Sequence, residues 1–336
     1  MTSLYKDVIF NDVNLEKIMD NHFDVIVIGA GAAGLTAGIY LSRAKVKTLI
    51  LNEGAVGGQM VLTHEIANYP GVENISGYEL ARIMKTQAQK FGCIIKSNLK
   101  ISSLEIDDDL KRVTVNNKDV YTSNAIIIST GGKSRMIGAV NEDKFKGKGI
   151  SYCATCDGDF FQDKEIIVVG GGNSALEEAV SLTKYASKVT VVHQFDHFQA
   201  FKHYVDEAKK NEKINFIMES KIIEFVGDEK LEAVKIQHQS TSEITEMKID
   251  GVFIFIGYVP NTESLEGLIE LNQWKEIVVD KDMKTSIPGV FAAGDSIQKK
   301  YRQVTTAVAD GTIAALSAAE YINNLKKEMH EHELVH

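Results

Sequence analysis

Cysteine is scarce in this chain: three in 336 residues, at positions 93, 153 and 156. So low and odd a count excludes the disulfide framework of a small secreted protein. It also sets a C-x-x-C pair in a reducing compartment, where such pairs are more often catalytic than structural. Long apolar runs are absent as well. No stretch approaches the roughly 20 residues that a membrane span requires, so no membrane partner is expected. The first 22 residues contain Asp7, Asp12, Glu16 and Asp20, and they lack the basic start, apolar middle and small-residue cleavage site of a signal peptide. The expected location is the cytoplasm. Surplus basic charge is missing too: the formal net charge of −9 argues against general nucleic-acid binding, which draws on excess Lys and Arg.

What is present describes a folded chain larger than one ordinary core holds, so two domains are expected. Hydrophobic residues at 44% and charged residues at 25% are those of a soluble globular protein. Residues 1–22 read as an extension with a short helix over Leu15–Met19. The first firm pattern follows. Phe23–Ile28 is a β-branched run suited to a strand buried on both faces, and it leads into Gly29-Ala30-Gly31-Ala32-Ala33-Gly34, a helical stretch over Leu35–Ala44 and a second strand over Lys47–Leu51. Strand, Gly-x-Gly-x-x-Gly, helix, strand is the context in which the glycine pattern marks a dinucleotide site. Gly29 permits the tight turn, Gly31 lets backbone approach a pyrophosphate, and Gly34 lets helix and strand pack closely. The phosphates then meet unpaired N–H groups at the helix start. An acidic partner for the ribose should end the second strand. Asn52 and then Glu53 stand there, so the contact is expected from Glu53, slightly out of step.

Gly57-Gly58-Gln59 reads as a loop of little bulk and Asn68-Tyr69-Pro70-Gly71 as a turn. Residues 78–91 have helical spacing, and Ile94–Ala125 alternate like short strands around a solvated Asp107-Asp108-Asp109 turn. Ile126–Gly132 is a further apolar strand ending on small residues. The fingerprint then repeats. Lys164–Val169, Gly170-Gly171-Gly172-Asn173-Ser174-Ala175, a helix through Lys184 and a strand over Lys188–Val192 give a Gly-x-Gly-x-x-Ala site built on Gly170, Gly172 and Ala175. Gly251–Gly257 is another buried strand, closed by Tyr258–Thr262. Ile287–Asp295 ends a strand with a carboxylate at the edge where open α/β sheets hold ligands. Thr305–Leu325 reads as an alanine-rich, closely packed helix, and the tail with His330, His332 and His336 is expected to fray. The fold expected is α/β, with an FAD domain and a second nucleotide-type domain.

Just upstream of the second fingerprint lies Ser151-Tyr152-Cys153-Ala154-Thr155-Cys156-Asp157-Gly158-Asp159. Two thiols two residues apart can close a small disulfide ring, and a helix start or nearby charge lowers one pKa so that its thiolate attacks. The alternative is half a zinc site, which needs two more soft ligands. Only Cys93 remains, and the nine histidines show no second paired spacing, so no metal site is expected. Cys93, within Phe91-Gly92-Cys93-Ile94-Ile95, is expected to be a buried, inert thiol.

These motifs resemble, from about residue 23 to 322, those of the low-molecular-weight thioredoxin reductases. The resemblance rests on 29–34, 57–59, Cys153-Ala154-Thr155-Cys156-Asp157, 170–175, 257–262, Ala293-Gly294-Asp295 and Tyr301-Arg302-Gln303, in order. It implies an FAD-bearing homodimer whose flavin passes two electrons to a Cys153–Cys156 disulfide. One thiol then attacks a disulfide on a thioredoxin-like partner, with Asp157 as acid/base, a role that suits a carboxylate beside the pair. The resemblance further implies flavin contacts from Gly29, Gly31, Ala32, Ala33, Gly34, Glu53, Gly58, Gln59, Asn68, Thr130, Gly131, Gly294, Asp295, Arg302, Gln303 and Val304. A second nucleotide site would use Gly170, Gly172, Asn173, Ser174, Ala175 and His193. The implied architecture is two Rossmann-like domains, the second inserted into the first: 1–137 with 258–336 would hold FAD, and 138–257 would carry the dithiol. In the family this inserted domain swings, exposing the dithiol to thioredoxin in one pose and the nicotinamide to flavin in the other.

One departure bears on the electron donor. NADPH-using relatives place His-Arg-Arg after the second strand of the inserted domain, with a third arginine shortly afterwards, to grip the ribose 2′-phosphate. This chain reads His193-Gln194-Phe195-Asp196-His197-Phe198-Gln199-Ala200 and has no arginine between Arg135 and Arg302. The bidentate fork suited to phosphate is missing, and Lys202, Lys209 or Lys210 offers only a point charge. NADPH is therefore expected to be a poor donor. NADH stays open, with Gln194 or Asp196 left to recognise the ribose. So does a protein donor such as ferredoxin, for which Lys144, Lys146 and Lys148, or Lys299, Lys300 and Arg302, are candidate basic patches. Two other functions use the same parts: a dithiol oxidase passing electrons to oxygen, and an FAD-binding sensor without turnover, against which the intact Asp157 argues.

Overall fold

The structure, a computed structural model, describes residues 21–63, 65–107 and 110–334. The expected helix over Leu15–Met19, two residues of the Asp107 turn and His336 lie outside these. Strand β1 (His22–Ile28) is the apolar run before the first glycine turn, and Val25, Ile26 and Val27 are fully buried. It is flanked in parallel by β2 (Thr48–Leu51) and β6 (Asp119–Ile128), with Ile28 opposite both Leu51 and Ile128. Strand β3 (Ile94–Lys96) extends the parallel side, while β4 (Ile101–Ile106) and β5 (Lys111–Val115) fold back antiparallel onto β6. The seventh strand, β17 (Val290–Ala292), returns late in the chain to lie parallel to β6.

One face of this sheet carries helices α1 (Ala32–Arg43) and α2 (Gly77–Lys90), together with the last helix, α7 (Val304–Leu334). Small residues set the α1–α7 spacing: a Cβ on Gly311 would stand 2.2 Å from the Ala33 carbonyl oxygen. The fraying expected of the tail is corrected, because α7 continues as helix through Leu334. Leu325 packs on the core, and Lys326 Nζ reaches Asp24 Oδ1 at 2.9 Å, which ties the helix to β1 one residue past Leu325. Residues 58–62 also differ from the expected loop, forming a 3-10 turn.

A second parallel sheet runs in the order β11 (Ile214–Ile217), β10 (Lys188–Val192), β9 (Glu165–Val169), β15 (Gly251–Ile254), β8 (Ile150–Ser151). Helices α5 (Asn173–Leu182) and α6 (Lys202–Lys210) cover one face through Leu176, Ala179, Leu182 and Ala208. An antiparallel sheet of β12 (Ser220–Gly227), β13 (Leu231–His238) and β14 (Ile244–Lys248) covers the other, packing Phe225, Val234 and Ile236 on Ile167, Val252 and Ile254. The chain crosses between the two bodies twice. Those crossings lie side by side as an antiparallel pair, β7 (Gly132–Ser134) with β16 (Tyr258–Pro260), in which Tyr258 faces Ser134.

Candidate active site

The carboxyl ends of both parallel sheets open onto one cavity of about 1920 Å³. Every residue expected at the dithiol or at either nucleotide site lines it, except Gly34 and Asp196, the latter one of the two residues left to recognise a ribose. Gly34 serves packing instead, since a Cβ there would lie 1.9 Å from the Gly29 carbonyl oxygen. At Gly31 the opposite holds: among the described residues an added Cβ meets nothing within 4 Å. The α1 start has no side-chain cap, so its N–H groups remain available to an anion. Buried Asn52 holds the turn in shape, accepting from Ala30 N–H at 2.8 Å and donating to the carbonyls of Glu53, Gly54 and Ala55. Glu53 stands on the cavity with Oε1 already accepting from Ile101 N–H at 2.8 Å.

Among the described residues, the buried Oδ1 of Asp295, beyond β17, has no hydrogen-bond partner, nor has the Thr130 hydroxyl. Burial raises the Asp295 carboxyl above the usual carboxylate range, and the nearby Lys299 and Arg302 cations oppose the shift. Those cations are themselves committed. Lys299 pairs with Asp310, whose carboxylate also accepts from Gly294 N–H, while Arg302 pairs with Glu276 and lies 4.4 Å from the Tyr258 ring centre. The expected patch of Lys299, Lys300 and Arg302 is corrected accordingly: the first and last are 12% and 22% exposed and are paired with the carboxylates of buried Asp310 and half-buried Glu276. At the other candidate patch, Lys144 and Lys148 are exposed and Lys146 lines the cavity.

Cys153 and Cys156 form a disulfide. Cys153 caps the one-turn helix α4 (Ala154–Asp157), its Sγ accepting from Cys156 N–H at 3.2 Å. Gln303, at the start of α7, crosses from the other body: Nε2 stands 3.8 Å from Cys153 Sγ and Oε1 3.8 Å from Cys156 Sγ. Asn68 Nδ2 approaches the same Oε1 at 3.4 Å, so residues expected to meet flavin also meet the sulfur pair. Asp157 is partly buried, which raises its carboxyl pKa, and Ser151 Oγ, donating to Oδ2 at 2.6 Å, partly opposes that rise. Next to Cys153, the Tyr152 hydroxyl donates to Glu142 Oε1 at 2.8 Å. Glu142, 2% exposed, also accepts from the N–H groups of Ile137 and Gly138 at the crossing. The sequence assigns no role to Asn52, Ser151, Glu142 or Glu276; a serine two residues before the first cysteine is the one local signal. Cys93 is the inert thiol expected, buried and pushed up to about 12 by desolvation. Among the described residues no cluster of three His, Cys, Asp or Glu could hold a metal.

The second glycine turn keeps its space, since a Cβ on Gly172 meets nothing within 4 Å and no side chain caps α5. Asn173 Oδ1, however, accepts from Phe201 N–H at 2.8 Å, and buried His193 is held within its own loop. Its Nε2–H donates to the His197 carbonyl at 3.1 Å, and its ring stacks on Phe198 and covers Gly171. Asp196 and His197 pair at 2.6 Å in solvent, and this bond keeps the Asp196 carboxyl below its ordinary range.

The pyridine nucleotide-disulphide oxidoreductase family matches residues 23–311. Thioredoxin reductase of Peptoclostridium litorale is 44% identical over 318 residues, 92% of this chain and all of that protein. The crystal structure of thioredoxin reductase from Streptococcus pyogenes superposes with a TM-score of 0.87 at 41% identity, covering 90% of this chain and 99% of that one. Lactococcus lactis thioredoxin reductase in its FR conformation gives 0.62 at 40% identity over the same shares. Two glycine turns and a disulfide on one cavity agree with these relationships: the chain belongs to the pyridine nucleotide-disulphide oxidoreductase family and, within it, to the low-molecular-weight thioredoxin reductases, which makes it a flavin-dependent oxidoreductase.

Proposed function

We propose that this chain reduces the disulfide of thioredoxin or a thioredoxin-like protein through Cys153 and Cys156, using FAD held by residues 1–137 and 258–336. The observation that carries this is the contact of Gln303 with both sulfurs, which sets the redox pair on the cavity of the first glycine turn. The residues there fit FAD. Open space over Gly31, an uncapped helix start and an unpartnered buried Asp295 oxygen are what a pyrophosphate and a hydroxylated chain would complete. Bound there, FAD would supply two electrons to the Cys153–Cys156 disulfide. Gly29, Gly58, Gln59 and Thr130 line the holding wall, and Asn52 fixes its shape.

The inserted domain, 138–257, carries the working sulfurs. Once reduced, one thiol attacks the partner's disulfide, the second resolves the mixed disulfide, and Asp157 holds the proton that the leaving sulfur needs. With the pair facing the cavity, a protein substrate reaches it only after this domain turns on the β7/β16 crossing. The unequal scores against two equally similar relatives support such a rearrangement. The working unit is a homodimer.

For the donor, NADPH is disfavoured. The loop after β10 offers Asp196 and His197 where a 2′-phosphate would need arginines. Reduced ferredoxin, docking on the exposed Lys144 and Lys148, or NADH takes its place. The test mixes oxidised holoenzyme anaerobically with NADPH, NADH and reduced ferredoxin in turn while flavin bleaching is followed. Fast bleaching by micromolar NADPH overturns the donor assignment. Separately, holoenzyme reduced with dithionite should reduce thioredoxin, and Cys153→Ser should abolish that; retained activity overturns the dithiol assignment.

A further inference from the structure

We propose that Ser151 is a positioning residue for the dithiol reaction, orienting the Asp157 carboxyl and fixing which oxygen carries its proton. The proposal rests on the disulfide-reductase reading above. Ser151 ends β8 and is 5% exposed, so its hydroxyl works without competition from bulk water. That hydroxyl has one proton to give and lone pairs to accept with. It lies 3.0 Å from Cys153 N–H and 2.6 Å from Asp157 Oδ2. An amide N–H can only donate, so Ser151 Oγ accepts there and its own proton goes elsewhere. The Cys153 carbonyl, at 3.3 Å, is the longer and uncharged option; the carboxylate oxygen is the stronger acceptor.

Two consequences follow from this one side chain. Oδ2 is occupied as an acceptor, so a proton taken up by Asp157 resides on Oδ1. The carboxyl is also tied to the backbone of Cys153, while Asp157 N–H donates to the Cys153 carbonyl at 3.2 Å, so acid and sulfur pair move as one unit. In the exchange that this unit serves, a thiol of the reduced pair gives its proton to Asp157 and attacks the partner's S–S bond. That bond breaks, a mixed disulfide forms, and the departing partner sulfur takes a proton from Asp157. The remaining enzyme thiol then attacks, closing Cys153–Cys156 and releasing the partner as a dithiol. Two electrons and two protons pass from the enzyme dithiol to the partner disulfide, so the step balances with no other reactant.

The proton affinity of Asp157 is set by burial and by the Ser151 hydroxyl. Titratable groups on the elements packed against its turn are Asp159 of the 3-10 turn over Gly158–Phe161, Glu177 and Glu178 of α5, and Tyr185, whose ring lies near Gly158. None of them is among the influences on Asp157. Removing the hydroxyl therefore leaves burial unopposed, and the carboxyl should hold its proton to higher pH.

The test uses dithionite-reduced holoenzyme in single turnover with oxidised thioredoxin, and separately with a small aromatic disulfide, across pH. Asp157→Asn identifies the inflection that belongs to Asp157. In Ser151→Ala that inflection should move up by about 1–2 pH units, the size expected from losing a hydrogen bond to a charged group. The rate at the wild-type optimum should fall about 10-fold, a fraction of what a general acid contributes. Ser151→Thr should restore both. Ser151→Val, close to threonine in volume but without the hydroxyl, separates the hydrogen bond from packing and serves if the alanine variant does not fold. Ser151→Ala in the Asp157→Asn background should cost nothing further. A Val or Ala profile that superposes on wild type, or an undiminished second loss in the double variant, overturns the proposal. Wild-type enzyme that reduces neither disulfide would instead overturn the disulfide-reductase reading on which it rests.

Discussion

Gly31 and Gly34 stand three residues apart in one fingerprint, and alanine at each should give opposite outcomes. At Gly34 a Cβ would sit 1.9 Å from the Gly29 carbonyl oxygen and 2.6 Å from Ser129 Oγ. Backbone on one side and a strand end on the other leave little room to yield. The cost should lie at or above the top of the usual overpacking range, about 3 kcal/mol or more. At Gly31 φ is −78° and ψ −169°, an extended conformation open to any residue, and the added methyl meets no atom within 4 Å. Alanine there restricts the unfolded chain without strain, so the flavin-free protein should be unchanged or more stable by about 0.4–1 kcal/mol. The same methyl fills the space that a pyrophosphate needs. The assay is the flavin-to-protein ratio of each purified variant, set beside thermal unfolding after the flavin is stripped. Gly31→Ala should lose flavin and keep its melting temperature, within about 2 °C for a chain of this size. Gly34→Ala should lose both. Full flavin occupancy in Gly31→Ala, or wild-type stability in Gly34→Ala, would refute the division of labour.

Other outcomes follow from the same geometry. Glu142→Ala strands Tyr152 O–H and the N–H groups of Ile137 and Gly138, and it should cost about 3–5 kcal/mol in denaturant unfolding. Tyr152→Phe should cost about 1–2 kcal/mol, and a larger loss from the phenylalanine than from the alanine would contradict the hub. Placing arginines at Gln194 and Phe195 should tighten NADPH binding at least about 10-fold, the equivalent of one charged hydrogen bond; unchanged titration would mean that the missing arginines do not set donor choice. Asp157 binds its proton more tightly when folded than at its ordinary value of 3.8. Its stabilisation is therefore complete below 3.8 and lost as pH rises through the shifted value. Thermal unfolding of wild type should show this downward slope relative to Asp157→Asn, and parallel curves would remove burial as the cause.

Both glycine turns, their flanking strands and the dithiol were legible in the sequence because each is a short-range pattern. Gly29, Gly31 and Gly34 act on backbone within one turn of each other, and Cys153 and Cys156 lie close enough to bond whatever surrounds them. What depends on distant segments was not legible. Gln303 meets the sulfurs from 147 and 150 positions away, and Asn52 reads only as the residue that puts Glu53 out of step until its carboxamide is seen holding the turn. Lys299 and Arg302 read as a basic patch because sequence shows charge but not the Asp310 and Glu276 carboxylates that pair with them. The helix read as ending at Leu325 because Asp24, which Lys326 meets, lies at the other end of the chain. Local spacing thus determined which chemistry this protein carries, since backbone freedom and thiol pairing act over a few residues. Only the tertiary structure decided which groups face one another across the cavity, because desolvation and long-range hydrogen bonds arise where distant segments pack.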